Sequence, residues 1–474
     1  MTGTPTPSGR PSRRRELTEI LGLAIPLAAA QVATMLMSIT DSVMLGHLSS
    51  DALAAGGLGA NVAFMLIILM QGLQAGIQPL IAQARGAGDA RPIGRAVWGG
   101  LIIGALAILP IMLLLVRIDD FLRLVGEPEA IVEPVLVYER AFVWSIPAAA
   151  LMGLLRYFLS AMERPRVAMM VAFAGIGINL LLNWMLIFGN LGAPALGLAG
   201  SGYATSATWW LMGLVLSVYV AQAKLLPHDF WRLAWAERRR GFVAVFRLGW
   251  PIAGIYAVEV GLFSVSSLLM GRFGPIAVAA HQICLGVASL TFMVPLAIGQ
   301  AATVRVGFHM GAGAVARARL AGFSAIGLGV GFMSCTAVAI AFGRQLVFAF
   351  YLESDDPSYG QVVSLGMNLL AVACVFQTFD GAQVVAAGAL RGVKDTRVPM
   401  LLGAVGYWGL GMTLGAGLAF WVGLGPVGLW WGFVCGLSTV SLLLCLRFRA
   451  LMGRYLAVQV RHGLTGTGAV PERG

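Results

Sequence analysis

Charge is what this chain has little of. Only 11% of its 474 residues are Asp, Glu, Lys or Arg, against about 25% in a soluble globular protein. Mean hydropathy is correspondingly high, +0.84. So little charge cannot cover a water-soluble surface, and the chain reads as an all-α integral membrane protein. Cysteine and histidine are scarce as well, five of each. Cys284, Cys335, Cys374, Cys435 and Cys445 fall in apolar segments without a C-x-x-C pair, which argues against a zinc site or a disulfide framework and leaves packing as their expected role. The histidines show no metal-ligand spacing. There is no H-E-x-x-H, no G-x-S-x-G elbow and no large polar loop, so catalysis is not expected. A cleaved leader is not expected either. MTGTPTPSGRPSRRRELTEI is polar and basic, and the apolar run behind it is too long for a signal peptide.

What the chain has is apolar runs of spanning length. A helix needs about 20 residues to cross the hydrocarbon, and twelve runs qualify: 18–45, 52–78, 93–116, 131–159, 167–190, 196–222, 243–270, 277–303, 318–345, 359–389, 398–421 and 427–449. The net charge of +11 then reads as a topology signal. With the N-terminus in the cytoplasm, 27 of the 32 Lys and Arg fall in the tails, in the loops after even-numbered spans or at the adjoining helix ends. Arg117, Arg123, Arg272 and Arg344 lie on the opposite side, and Arg140 inside span 4. Such a bias puts both termini in the cytoplasm. It also removes the reason to expect a nucleic-acid partner.

The chain repeats itself. At an offset of 225, Pro26 falls on Pro251, Gly46 on Gly271, Ala54-Ala55 on Ala279-Ala280, and Gly86-Ala87-Gly88 on Gly311-Ala312-Gly313. LSAMERPRV (159–167) pairs with LRGVKDTRV (390–398). The expected organisation is a tail (1–16), a six-helix bundle (17–222), a linker (223–242), a second six-helix bundle (243–449) and a tail (450–474). An even number of spans gives both copies the same orientation, so a pseudo-twofold axis should run along the membrane normal, with a site at the repeat interface.

Polar residues inside the spans form stripes. Gln31, Thr34, Ser38 and Asp41 share one face of span 1, and Tyr256, Glu259 and Ser266 one face of span 7. Gln71, Gln74 and Gln78 stripe span 2; Gln377, Asp380 and Gln383 stripe span 10. Counting helical rise from Arg247 and Arg391 puts Glu259 and Asp380 roughly 16–18 Å from the cytoplasmic edge, where they can share a site. Asp41 lies roughly 9 Å from the outer edge. Asn179, Asn183 and Thr205 also fall in the outer half, and with Asp41 they make a second candidate site. An intramembrane acid costs about 2.5–3.5 kcal/mol on insertion scales and usually marks an ion or proton path; a hydrogen-bonded structural group is the alternative. For the Gln stripes and the two Asn, helix-to-helix hydrogen bonding is an equal rival. Glu139 and Arg140 read as a mutually neutralising pair, and Phe376 and Phe379 as packing or as part of a ligand cage. Gln31, Gln71, Gln74, Tyr256, Gln282, Phe376, Gln377, Phe379 and Gln383 are the candidates for a substrate cavity.

These pieces resemble a known family. Pro26 to Asp41 followed by SVMLG, PIAGIYAVEVGLFSV with Glu259, VAAHQI (278–283), QTFDGAQVVAAGALRGVKDTRVP with Asp380, and NLLLNWMLIFG (179–189) are together similar to the multidrug and toxic compound extrusion (MATE) transporters, in their NorM-like branch. The resemblance covers about Leu17 to Arg449. It implies two six-helix bundles in a V around a central cavity, with cation-coupled export of organic, mostly cationic, compounds. It carries over Glu259 and Asp380 as C-lobe cation-site carboxylates and Asp41 as the N-lobe carboxylate, with Asn179, Asn183 and Thr205 around it. Two positions depart from the pattern: Phe376 stands where some members have tyrosine, and Asn183 where some have aspartate. The coupling ion, sodium or a proton, is open. No cofactor is expected beyond that ion. The expected partners are small organic cations and membrane lipids, in a bacterial inner membrane, with a monomer sufficient. The rival readings are a lipid-precursor flippase, which should have a strongly basic cavity, and a membrane-embedded enzyme.

Overall fold

The structure, a computed structural model, describes residues 12–126, 128–351 and 358–465. Among these residues every regular element is helical. Eleven helices are long and apolar enough to cross a bilayer, and a twelfth crossing is a helix pair bent by 54°. In chain order they are α1 (Arg13–Leu48), α2 (Ser50–Gln74), α3 (Ile77–Ala87), α4 (Arg91–Val116), α5 (Ile118–Val125), α6 (Glu129–Phe142), α7 (Ser145–Ala161), α8 (Pro165–Phe188), α9 (Leu198–Gln222), α10 (Trp235–Met270), α11 (Pro275–Gly311), α12 (Val315–Tyr351), α13 (Tyr359–Gly392), α14 (Arg397–Ala404), α15 (Thr413–Ala416) and α16 (Gly425–Thr465). The bent crossing is α6 plus α7. Pro147 follows the break in the first turn of α7, where its missing N–H breaks no helical bond.

Some bounds differ from the hydropathy reading. Polar residues continue a helix once its apolar stretch has nucleated it. So α1 starts at Arg13, α10 starts at Trp235 within the expected linker, and α16 runs on to Thr465 into the expected tail. The tail residues 1–11 and 466–474 lie outside the described residues. The eleventh crossing is π-helical over Val405–Met412 and Gly417–Trp421. There it presents Gly411 and Gly415 to Gly432 and Gly436 of α16, where the two backbones nearly touch.

α1–α9 form one lobe and α10–α16 the other. Their junction shows the repeat as geometry. Gly86 of α3 sits against the Phe308 carbonyl of α11, and Gly311 of α11 sits against the Gln83 carbonyl of α3. The 225-residue offset turns each contact into the other, as a twofold axis between α3 and α11 requires. A methyl group at either glycine would overlap the facing carbonyl oxygen. Gly88 and Gly313, also related by the repeat, both hold positive φ (71° and 68°) where their helices end.

The lobes meet at the end that carries both described chain termini. Gln83 donates to the Gly392 carbonyl at 2.8 Å. Arg305 of α11 pairs with Glu16 of α1 at 3.1 Å and with Glu163, in the α7–α8 turn, at 3.3 Å. His309 bonds Glu16 at 2.9 Å, and Arg85 bonds Glu163 at 3.2 Å. Glu16, Arg305 and His309 are buried. Among the described residues, all hydrogen bonds and ion pairs that cross between the lobes lie at this end. The apolar clusters that mix both lobes draw on the same end, Ile20, Leu23, Ala24 and Ala82 packing with α11 residues, and Val245 and Ile252 with α3 and α4.

Candidate functional site

Asp41 sits in the far-end half of α1, facing α8 and α9. Its Oδ1 accepts N–H bonds from Asn183 at 2.6 Å and Asn179 at 3.1 Å. Its Oδ2 accepts the Thr205 hydroxyl at 3.0 Å. Asn179 and Asn183 are one helical turn apart, both 0% exposed, and linked by a 3.2 Å bond from Asn183 Nδ2 to Asn179 Oδ1. The structure thus brings all four residues expected in this half into one cage. Its donors are neutral, and no cation pairs with the acid among the described residues. Asn183 Oδ1 is buried in the same cage without a hydrogen-bond partner. An acid, two amides and a hydroxyl, with one amide oxygen unused, form a donor set suited to a proton or to a small hard cation such as sodium.

The C-lobe acids are arranged differently. Asp380 on α13 is 6% exposed, with Oδ1 buried and unpartnered. Glu259 on α10 is half-buried. Asp380 lies within the field of Glu259, and Glu259 within the field of Arg391; Gln383 Nε2, one turn on from Asp380, is buried without a hydrogen-bond partner. Gln377, one turn before Asp380, has both amide atoms buried without a partner. The two acids and one arginine therefore share a region with unspent hydrogen-bonding capacity.

Other candidates do not sit where the stripes suggested. Gln74 is 1% exposed and donates to the Gly100 and Ala150 carbonyls at 3.4 and 3.0 Å, tying α2 to α4 and α7 instead of facing a cavity. Phe376 is buried against Trp430 and Phe433 in the C-lobe core. Gln377 and Gln383 are likewise enclosed within that lobe. Gln282 is exposed on α11 and Phe379 is exposed on α13. His281 of the VAAHQI run bridges Ser267 and Trp430, so both ring nitrogens are used. Glu139 and Arg140 do not pair: Glu139 is 0% exposed with both oxygens unpartnered, and Arg140 is exposed. Adjacent residues on a helix point about 100° apart.

The sequence reading missed two arginines. Arg156 reaches inward from α7 to the carbonyl oxygens of Gln31 (3.3 Å) and Gln71 (3.0 Å). Arg391, used above as a marker of the membrane edge, is 6% exposed and donates to the Tyr256 hydroxyl at 3.3 Å. Their signal in the sequence was weak, because a long basic stem near a helix end can turn either way.

A model of the MatE family matches residues 26–185 and 251–416, one copy in each lobe. The chain belongs to the MatE family. Among its relatives, a probable multidrug resistance protein NorM of Burkholderia pseudomallei is 43% identical over 439 residues, covering 92% of this chain and 93% of that protein. A probable NorM of Pseudomonas aeruginosa is 38% identical, covering 93% and 91%. Solved structures share the fold. A eukaryotic MATE transporter, AtDTX14, superposes with a TM-score of 0.82 at 22% identity over 94% of this chain and 99% of that one. A multidrug resistance MATE transporter in an outward-facing conformation superposes with a TM-score of 0.82 at 20% identity over 93% and 96%.

Proposed function

We propose that this MatE-family protein exports organic, mostly cationic, compounds by alternating access, exchanging them for protons or sodium ions. The observation that carries the reading is the Asp41 cage, a carboxylate within a membrane helix ringed by neutral donors, with no cation paired to it among the described residues. The relatives' name, multidrug resistance protein NorM, supports the same class of activity. The end where the lobes meet is taken as cytoplasmic from the basic-residue bias, in a bacterial inner membrane. In that orientation the contacts that join the lobes lie on the cytoplasmic side.

Transport follows from competition for negative charge. An incoming cation that neutralises Asp41 removes the attraction holding an organic cation, and the drug leaves outward. For the exchange to be coupled, drug and ion must each prefer a different facing state, since equal affinity for both states shifts nothing. Return to the inward-facing state has to break the Glu16–Arg305–Glu163 contacts. The test is dye movement in proteoliposomes under a pH gradient and a sodium gradient imposed separately. Movement under either gradient supports antiport and names the ion; no movement under both contradicts it.

A further inference from the structure

We propose that Arg156 and Arg391 form an anion-binding floor to the space between the lobes, one arginine from each lobe, that receives the carboxylate of substrates carrying both charges. This rests on the export reading above and narrows its substrate class. The two arginines are close to the same few side chains. Arg391 stacks over the Tyr256 ring at 5.4 Å while donating to its hydroxyl, and Tyr256 packs across the lobe junction against Gly72, next to Gln71, which holds Arg156. Tyr157 lies in the field of both arginines and of Tyr256. The cluster therefore crosses from lobe to lobe just above the Gly76 contact with α10.

Neither guanidinium is spent. The Nε of each is buried without a hydrogen-bond partner. Among the described residues neither forms an ion pair, whereas Arg85, Arg305 and Arg447 do. Gln31, Gln71 and Tyr256 offer them only neutral oxygens, and Glu259, the acid within the field of Arg391, makes no ion pair with it. An arginine taken out of water without an anion is costly unless one arrives, and its planar fork of N–H groups matches a carboxylate. Farther from the junction stand Asp41 in one lobe and Glu259 with Asp380 in the other. A molecule with an ammonium group and a carboxylate can satisfy both ends of this polarity at once, whereas a plain cation uses only the acids.

The test is paired transport in proteoliposomes: a rhodamine bearing a free carboxylate and the same rhodamine as its methyl ester, on wild type, Arg156→Gln, Arg391→Gln and the conservative Arg156→Lys. The expected result is that each Arg→Gln change lowers transport of the acid about tenfold or more, as loss of a charged hydrogen bond implies; Arg156→Gln leaves the ester within about twofold, and Arg391→Gln, which also removes the positive charge in the field of Glu259, lowers the acid more than the ester. Arg156→Lys should recover part of the acid transport. Equal loss of both dyes would overturn the inference, since the arginines would then serve the acids or the packing; unchanged transport of both would overturn it too. Inhibition of acid transport by chloride or inorganic phosphate at equal ionic strength, without effect on the ester, is the expected sign that the floor binds anions at large; absence of any such competition restricts it to the substrate's own carboxylate. Failure of wild type to move even the ester would instead count against the export reading.

Discussion

The two lobes descend from one repeated unit, yet they hold their acids in opposite ways. In the N-lobe cage one carboxylate, Asp41, spends both oxygens on neutral donors, and the lobe's other buried acid, Glu139, makes no hydrogen bond to it. In the C-lobe two carboxylates share a field with one arginine, and amide groups beside them are left unused. The repeat offset carries Asp41 to Ser266, which merely back-bonds to the Leu262 carbonyl of its own helix at 2.7 Å. The pseudo-symmetry thus preserves the backbone crossing at Gly86 and Gly311 and lets the chemistry diverge. The N-lobe cage holds one acid among neutral groups; the C-lobe site holds two acids in each other's field.

That contrast sets the expected size of each change. Asp41→Asn should be the most severe, lowering coupled dye transport a hundredfold or more, because removing a half-buried, triply hydrogen-bonded charge costs about 2–5 kcal/mol; initial rates in proteoliposomes measure it. Glu259→Gln and Asp380→Asn should each cost roughly tenfold, and the double variant should approach Asp41→Asn, about 1.4 kcal/mol per tenfold step. A single C-lobe change as severe as Asp41→Asn would break the comparison. Asn183→Ala removes the shortest bond to Asp41 and should lower transport about tenfold, given about 1.5–3 kcal/mol for a hydrogen bond to a charged group. Gln383→Leu should matter least, under about fivefold, because Glu259 still offers a charge to the incoming cation; titrating transport against external pH or sodium would separate a weakened site from a misfolded one.

Much of this was legible in the chain. Hydropathy located the twelve crossings, since the bilayer fixes helix length. Helical spacing put Asp41 on an inward face, and depth counting grouped it with Asn179, Asn183 and Thr205. Other features depend on distances that a sequence does not carry. Glu16 and Arg305 meet across 289 positions of chain, and nothing in either's neighbours points to the other. The spacing of Gln74 matches a cavity stripe equally well as a tie between helices; only the positions of the Gly100 and Ala150 carbonyls decide. Arg156 and Arg391 look like edge residues by position, because Cα depth says nothing about a side chain long enough to turn back into the protein.

The most direct test of the account is the Asp41 cage under an imposed ion gradient. Wild type and Asp41→Asn, reconstituted in liposomes with a cationic dye, would be given a pH gradient in one run and a sodium gradient in another. The account predicts that one gradient drives dye movement in wild type and that neither does in the variant. Gradient-driven movement persisting in Asp41→Asn at the wild-type rate would contradict it.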